Sequence, residues 1–256
     1  MTQPKNKIIL DARKVASEIL GAVLDRGIPL DTVLSHSYAL KNLSSRERAF
    51  ARLLVMTVLR RRGQIDAALD EKLTRKLSKH KNQVRNALRL GVAQLSFLKT
   101  PPHAAVNGSV KLISEHGNKG MTGLVNAVLR TIDREGAKAL SDNIEAKQKN
   151  LPDWLLESWQ SAYGDEITIS ILESHLKEPP VDITLSSSSL PEEWANRLEA
   201  EILPVGSLRK HSAGKITELD GFNEGKWWVQ DVAASIPTKL FGKLTNRNII
   251  DLCAAP

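Results

Sequence analysis

The residues best suited to chemistry in this sequence are closely spaced cations in its first third. Arg60, Arg61 and Arg62 follow one another. A second group a short way downstream consists of Lys72, Arg75, Lys76, Lys79 and Lys81, at a spacing that predicts one helical face. Phosphate contact requires such positive charge and no special geometry. We therefore expect these side chains to bind an RNA backbone, with a solvated, Lys/Arg-rich helical face as the alternative.

Nucleophiles and metal ligands are sparse. Cys253 is the only cysteine in 256 residues, so no disulfide can form within the chain. The six histidines lack the spacing of metal ligands; they stand at positions 36, 80, 103, 116, 175 and 211. The sequence also has no G-x-G-x-x-G, P-loop or G-x-S-x-G motif. It therefore predicts no metal site and none of the common nucleotide-binding or hydrolase loops.

Charge and tryptophan divide the chain near residue 140. Residues 1–140 hold 25 Lys and Arg against 11 Asp and Glu, a net charge of +14, whereas residues 141–256 hold 11 against 18, a net charge of −7. All five tryptophans lie in the second part. These two shifts predict a domain boundary near residue 140, and the cationic first part is typical of nucleic-acid-binding proteins.

Residues 1–140 have the pattern of an all-α bundle. In DARKVASEILGAVLDRG the apolar residues recur every three to four positions, and Gly27 follows as a C-terminal cap. In LSSRERAFARLLVMTVLRRRG, Ser44 and Glu47 have the spacing of a capping box, and we expect Gly63 to end that helix. Three further helical segments end at prolines or glycines, and no long alternating pattern indicates a strand.

The sequence after residue 140 mixes both kinds of element. LPDWLLESWQSAYG predicts a helix that stops at Gly164, and EPPVDITL predicts an extended segment because two prolines precede alternating apolar residues. A helix begins at Pro191, and short extended pieces with glycine turns follow it. We therefore expect a small α/β domain over residues 141–225, whose tryptophans are more typical of a core than of a base-stacking surface.

Nothing in the sequence indicates a membrane or an export signal. No apolar run approaches the roughly 20 residues that a membrane helix needs, and MTQPKNKIILDARK lacks the apolar core of a signal peptide. The single cysteine also suits a reducing compartment. We therefore expect a cytoplasmic protein.

The motifs, taken in order, resemble one family. SSRERAFARLLVMTVLRRR, PPHAAVN and GLVNAVLR are similar to the NusB-like helical RNA-binding domain. LPDWLLESWQSAYG and EPPVDITL are similar to the connecting domain that follows it in the RsmB (Sun, Fmu) group of rRNA methyltransferases. WWVQDVAASIP and IIDLCAAP are similar to the start of the Rossmann-like class I domain of RNA cytosine-5 methyltransferases. The resemblance implies three domains, at 1–140, 141–225 and 226–256.

This resemblance assigns the last strand to a cofactor site. Cys253, Ala254, Ala255 and Pro256 match the loop that lies against S-adenosyl-L-methionine, and we expect Ile249, Ile250 and Leu252 to form a central parallel strand before it. In the family this loop continues as Gly-Gly-Lys, which is absent here. The chain is therefore expected to be truncated at the start of the catalytic domain.

The family's chemistry requires two cysteines. One thiolate adds to carbon 6 of cytosine so that carbon 5 can attack the cofactor's methyl group, and a second cysteine assists release. Cys253 matches neither, so we expect this chain to bind RNA of the small ribosomal subunit without methylating it alone. The alternative is a stand-alone, non-enzymatic NusB-like module of the transcription-antitermination type. The retained IIDLCAAP segment favours the methyltransferase interpretation.

Overall fold

The computed structural model describes residues 11–75, 77–136, 140, 142–187, 189–211, 214–242, 246–250 and 252. Its contacts divide the chain into two compact units, Met1–Lys177 and Glu178–Pro256. The described part of the first unit is helical, and the second contains a small sheet with helices around it.

The first unit consists of helices joined by short turns. In chain order the helices are α1 (Ala12–Leu20), α2 (Leu30–His36), α3 (Tyr38–Lys41), α4 (Ser45–Arg60), α5 (Arg62–Lys72), α6 (Asn82–Ser96), α7 (Pro102–Glu115), α8 (Thr122–Arg134), α9 (Ile144–Gln148) and α10 (Asp153–His175). A π-helical turn follows α1, and 3-10 turns at Lys79–Lys81 and Lys119–Met121 lead into α6 and α8.

The apolar faces of these helices form one core. Leu54 of α4, Ile65 of α5, Leu88 of α6, Ile113 of α7 and Leu129 of α8 are all fully buried in it. Each residue belongs to an apolar stripe with a spacing of three to four positions, as expected for helices that pack on one face. The all-α prediction for this region is confirmed.

Helix α4 starts as the sequence predicts but ends differently. Ser44 Oγ accepts from the backbone N–H of Glu47, and the Glu47 carboxylate accepts from the backbone N–H of Ser44, which is the predicted capping box. The prediction that Gly63 ends the helix is wrong. The break occurs at Arg61, whose φ of −118° and ψ of 20° leave the helical region, and Gly63 lies inside α5.

The second group of cations does not share a helical face. Helix α5 ends at Lys72 because Leu73 is extended, with φ −90° and ψ 114°, and places its side chain in the core. A 3-10 turn follows only at Lys79–Lys81. The predicted helical spacing over Lys72–Lys81 is therefore wrong, since burial of Leu73 redirects the chain.

The boundary between the units lies after Lys177, not near residue 140 where the composition changes. Helices α9 and α10 belong to the first unit. Asn150, between these helices, accepts from the backbone N–H of Gln64 at 3.1 Å and donates to the Gln64 side chain at 2.9 Å. Helix α10 is broken at Gly164, whose φ of 77° and ψ of 169° only glycine adopts readily. The sequence predicts that this helix ends at Gly164, whereas in the structure it is broken there and continues to His175.

The second unit is built on a four-stranded antiparallel sheet. Its elements are β1 (Val181–Leu185), α11 (Pro191–Leu198), β2 (Glu201–Ile202), β3 (Leu208–Lys210), β4 (Trp227–Val229) and α12 (Val232–Leu240). The strand order is β2-β3-β1-β4, so β4 lies at an edge. The core contains Ile183 of β1, Trp194 of α11, Leu208 of β3 and Trp227 of β4. The predicted mixture of strands and helices is confirmed.

Strand β4 and helix α12 belong to this sheet unit rather than to a separate body. Thr184 of β1 pairs with Trp228 in the antiparallel register. Asp182 accepts two hydrogen bonds from Arg209, at 2.7 and 2.8 Å, and a third from the backbone N–H of Val232 at 3.1 Å. These bonds lower the pKa of the Asp182 carboxyl group, the Arg209 bond being the largest cause. One carboxylate therefore fastens β1 to β3 and to the start of α12.

The expected parallel strand near the end of the chain does not form among the described residues. Ile249, Ile250 and Leu252 have no strand partner there, and their exposed fractions are 60%, 82% and 90%. The prediction of a strand at these positions is wrong for this chain, because an apolar segment without neighbouring strands has no ladder to join.

Candidate nucleic-acid interface

Two of the predicted phosphate ligands flank the junction of α4 and α5. Arg60 is the last residue of α4, and Arg62 is the first of α5 and is exposed. Within the described residues, neither side chain makes an ion pair or a hydrogen bond. The two guanidinium groups are therefore free to bind an anion.

Arg46, which is not among the phosphate ligands predicted from the sequence, extends this charge along α4. Arg46, Leu53 and Arg60 follow one another at intervals of seven residues, so they lie on one face of the helix. At 1.5 Å per residue, Arg46 and Arg60 are about 21 Å apart along the axis. Arg46 is exposed and has no charged partner among the described residues. A search of the α4 pattern for cations opposite the apolar stripe would have found it.

Arg61 lies between the two free arginines but contacts the protein interior. Its guanidinium group stacks over the Phe97 ring at 4.4 Å and donates to the Gln64 side chain at 3.2 Å and to the Leu176 carbonyl at 3.3 Å. Burial lowers the pKa of Arg61, with a further contribution from the charge of Arg60. Arg61 is therefore a structural residue, and we withdraw it from the set of phosphate ligands.

Lys72 is also occupied by other groups. Its Nζ lies 2.5 Å from a carboxylate oxygen of Glu135 and 2.6 Å from one of Glu71. Hydrogen bonds to Glu135 and then Glu71 raise the pKa of Lys72. Two carboxylates around one ammonium group leave a local net charge of −1, which does not attract phosphate.

The remaining predicted cations lie between α5 and α6. Arg75 is exposed, Lys81 is half-buried, and neither has an ion-pair partner among the described residues. Lys76 and the Lys79 side chain lie outside the described residues. The structure thus keeps Arg60, Arg62, Arg75 and Lys81 as described candidates for phosphate contact.

The side chains of two further arginines, Arg85 and Arg89, lie between α5 and α6 rather than on the surface that could bind RNA. Arg89 is buried and donates to both oxygens of Asp66 at 2.8 Å, while Arg85 bridges Asp66 and Asp70. Asn86, also buried, accepts from Arg89 at 2.7 Å. These arginines hold α5 to α6 and are not available to a ligand, so the charge count alone overstates the interface.

The predicted cofactor contacts at Cys253, Ala254, Ala255 and Pro256 lie outside the described residues. Because all four predicted contacts lie outside the described residues, the structure does not test whether this segment could bind S-adenosyl-L-methionine. They also contain no group of three or more His, Cys, Asp or Glu side chains that could hold a metal ion. Nor is any helix in this part long and apolar enough to cross a membrane. The chemistry that the described residues support is anion binding.

The described residues thus form an all-α domain with exposed cations, and a small sheet domain follows it in the sequence. Residues 10–134 match the NusB family. A solved structure titled "Crystal Structure of PH0851" aligns with 92% of this chain and 56% of that chain, at a TM-score of 0.57 and 19% identity. That similarity concerns the fold alone.

Named relatives extend the comparison over almost the whole chain. The sequence is 30% identical to the "Probable ribosomal RNA small subunit methyltransferase B" of Synechocystis sp., over 97% of this chain and 59% of that protein. It is 32% identical to the "Ribosomal RNA small subunit methyltransferase B" of Xanthomonas campestris pv. campestris, over 96% of this chain and 56% of that protein. The chain thus spans somewhat more than half the length of these relatives. The resemblance drawn from the motifs is confirmed.

Proposed function

We propose that this chain is the RNA-binding part of an S-adenosyl-L-methionine-dependent methyltransferase acting on cytosine carbon 5 in RNA of the small ribosomal subunit. The observation that carries the proposal is a group of three unpaired arginines at α4 and the start of α5, Arg46, Arg60 and Arg62, in a chain that matches the NusB family and whose relatives are named as small-subunit rRNA methyltransferases. A cytoplasmic location fits this role.

Unpaired cations along one edge suit a phosphate backbone. Each phosphate that a protein cation neutralises releases a counterion, so the binding constant falls steeply with salt concentration. Arg46 and Arg60, about 21 Å apart along α4, can reach different phosphates. This contact positions an RNA without reading its sequence.

These 256 residues alone are not expected to transfer a methyl group. The family's reaction uses two thiols, and the chain has one cysteine, Cys253, which the resemblance places in the cofactor loop. S-adenosyl-L-methionine supplies the methyl group when it is bound. The contribution of the described residues is to hold the RNA.

A non-enzymatic NusB-like module is the second candidate, favoured by the match of residues 10–134 to the NusB family. The similarity of the whole chain to the methyltransferases supports the first candidate, because it includes the sheet unit that lies beyond the NusB match.

Filter binding of the purified chain to small-subunit rRNA at low ionic strength tests the proposal. We expect retention of the RNA that decreases as KCl is raised, and no incorporation of label from methyl-labelled S-adenosyl-L-methionine. Failure to bind rRNA, or methylation of cytosine by this chain alone, would overturn it.

A further inference from the structure

A cleft lies where the start of α5 meets the turn between α9 and α10. It has a volume of about 370 Å³ and is lined by Leu59, Arg62, Gly63, Lys149, Asn150, Leu151 and Pro152. This volume is at the low end of the range of about 300–1,000 Å³ typical of small-ligand sites. It is large enough for one nucleotide rather than for a duplex.

The wall of the cleft is held rigidly by backbone contact. A Cβ atom at Gly63 would lie 1.7 Å from the carbonyl oxygen of Lys149, so only glycine permits this approach. Asn150 bonds both the backbone N–H and the side chain of Gln64, which is fully buried. The site therefore exists before a ligand arrives, and binding requires little reorganisation.

Two unpaired cations border the cleft. The side chains of Arg62 and Lys149 are exposed, and neither forms an ion pair or hydrogen bond among the described residues. Among the described residues, Glu145 and Asp153, each four positions from Lys149, form an ion pair with neither of these cations. An arginine with a planar donor fork and a lysine with a point charge are suited to one phosphate group.

An exposed indole ring follows the cleft lining in the sequence. Trp154 follows the lining residue Pro152 by two positions, and 68% of its surface is exposed. Trp159 on the same helix, in contrast, is half-buried and packs against His175 with ring centroids 5.5 Å apart. Aromatic rings beside cations are the combination that binds single-stranded nucleic acid, because every base has a face that can stack.

We infer that this cleft binds one unpaired nucleotide of RNA, with its phosphate at Arg62 and Lys149 and its base stacked on Trp154. The inference rests on the proposed RNA-binding function and makes it more specific. It requires a single-stranded segment, because a base inside a duplex cannot reach Trp154.

The test compares a 12-nucleotide unstructured RNA with a 12-base-pair RNA duplex, using fluorescence anisotropy and the full chain. Trp154→Ala is expected to weaken binding of the single strand about 10-fold and to leave duplex binding unchanged. Trp154→Phe should restore most of the affinity. Arg62→Ala and Lys149→Ala should each weaken binding of both probes and reduce the salt dependence.

Matched controls come from residues that do not line the cleft. Trp228→Ala removes an exposed indole of the second unit, and Lys111→Ala removes an exposed cation of α7. If the wild-type chain binds the single strand but Trp154→Ala binds as Trp228→Ala does, or Arg62→Ala as Lys111→Ala does, the nucleotide site is refuted and RNA binding stands. If the wild-type chain binds neither probe, the proposed function itself fails.

Discussion

Replacement of Gly63 by alanine gives a quantitative test of the contact that closes the cleft. In an open helix this change is stabilising, because alanine exceeds glycine in helix propensity by about 1 kcal/mol. Here the new Cβ would lie 1.7 Å from Lys149 O, 2.2 Å from Lys149 C and 2.7 Å from the backbone nitrogen of Asn150. These neighbours are backbone atoms, which cannot rotate away, so the turn that carries Asn150 must move.

The energetic balance is decided by what that movement breaks. Overpacking of this kind costs about 1–3 kcal/mol. Loss of the two Asn150 bonds leaves the backbone N–H of Gln64 without a partner, at about 1–3 kcal/mol when it is not replaced, whereas the Gln64 side-chain oxygen still accepts from Arg61. Partial relaxation and the gain in propensity offset some of this. We therefore expect Gly63→Ala to lower the free energy of unfolding of the first unit by about 2–4 kcal/mol.

The assay is urea unfolding followed by circular dichroism, with hydrogen exchange of peptides covering residues 142–175. The control is Gly123→Ala in α8, where nothing lies within 4 Å of the new Cβ, so that variant should be as stable as the wild-type chain or slightly more stable. If Gly63→Ala stabilises the protein as Gly123→Ala does, the reasoning about the contact with Lys149 is refuted.

Three further changes have defined outcomes. Asp182→Ala should lower the stability of the second unit by about 3 kcal/mol, the low end for a broken buried ion pair because Arg209 is partly exposed. The pKa of Asp182 in the folded protein lies below its ordinary value of 3.8, so its contribution to the free energy of unfolding is full above pH 3.8 and is lost as the pH falls through the folded-state pKa. Unfolding of the wild-type chain, compared at pH 7 and below pH 3.8, should show this loss of stability. The Asp182→Ala variant should not show it. Arg61→Lys should cost about 1 kcal/mol through the lost contact with Phe97 and leave RNA affinity unchanged in anisotropy assays; a drop in affinity at equal folding would contradict the internal role of Arg61. Ser44→Ala removes the capping box and should cost about 1 kcal/mol in urea unfolding, whereas no change would show that the cap is energetically irrelevant.

Local rules made the helices of the first unit predictable. The Ser44 capping box and the apolar stripes of α4 and α8 depend on residues within one or two turns of each other, and the structure has them as the sequence indicates. The extended segment ending in Leu185 was likewise found from two prolines and an alternation.

Features that depend on contacts between residues far apart in the chain could not be predicted from local sequence patterns. Arg60, Arg61 and Arg62 look equivalent in the sequence, yet only Arg61 is held inside, because Phe97 and the Leu176 carbonyl, just beyond the ends of α6 and α10, contact it.

The tryptophans show the same limit. Trp194 and Trp227 occupy the core of the second unit, as their composition suggested. Trp154 is 68% exposed and Trp228 is 48% exposed. The residue type alone does not indicate which tryptophans are exposed and which are buried. Their surroundings depend on packing between elements far apart in the chain.

The most direct test of RNA binding is the dependence of the binding constant on salt concentration, measured with small-subunit rRNA for the wild-type chain and for Arg60→Gln/Arg62→Gln. For the wild-type chain we predict a linear fall of log K with log[KCl]. In the double variant we predict a slope less steep by about 1.4–1.8, corresponding to two lost phosphate contacts. An equal slope in both proteins, or a wild-type binding constant that does not change with salt, would contradict the assignment of these arginines to the RNA backbone.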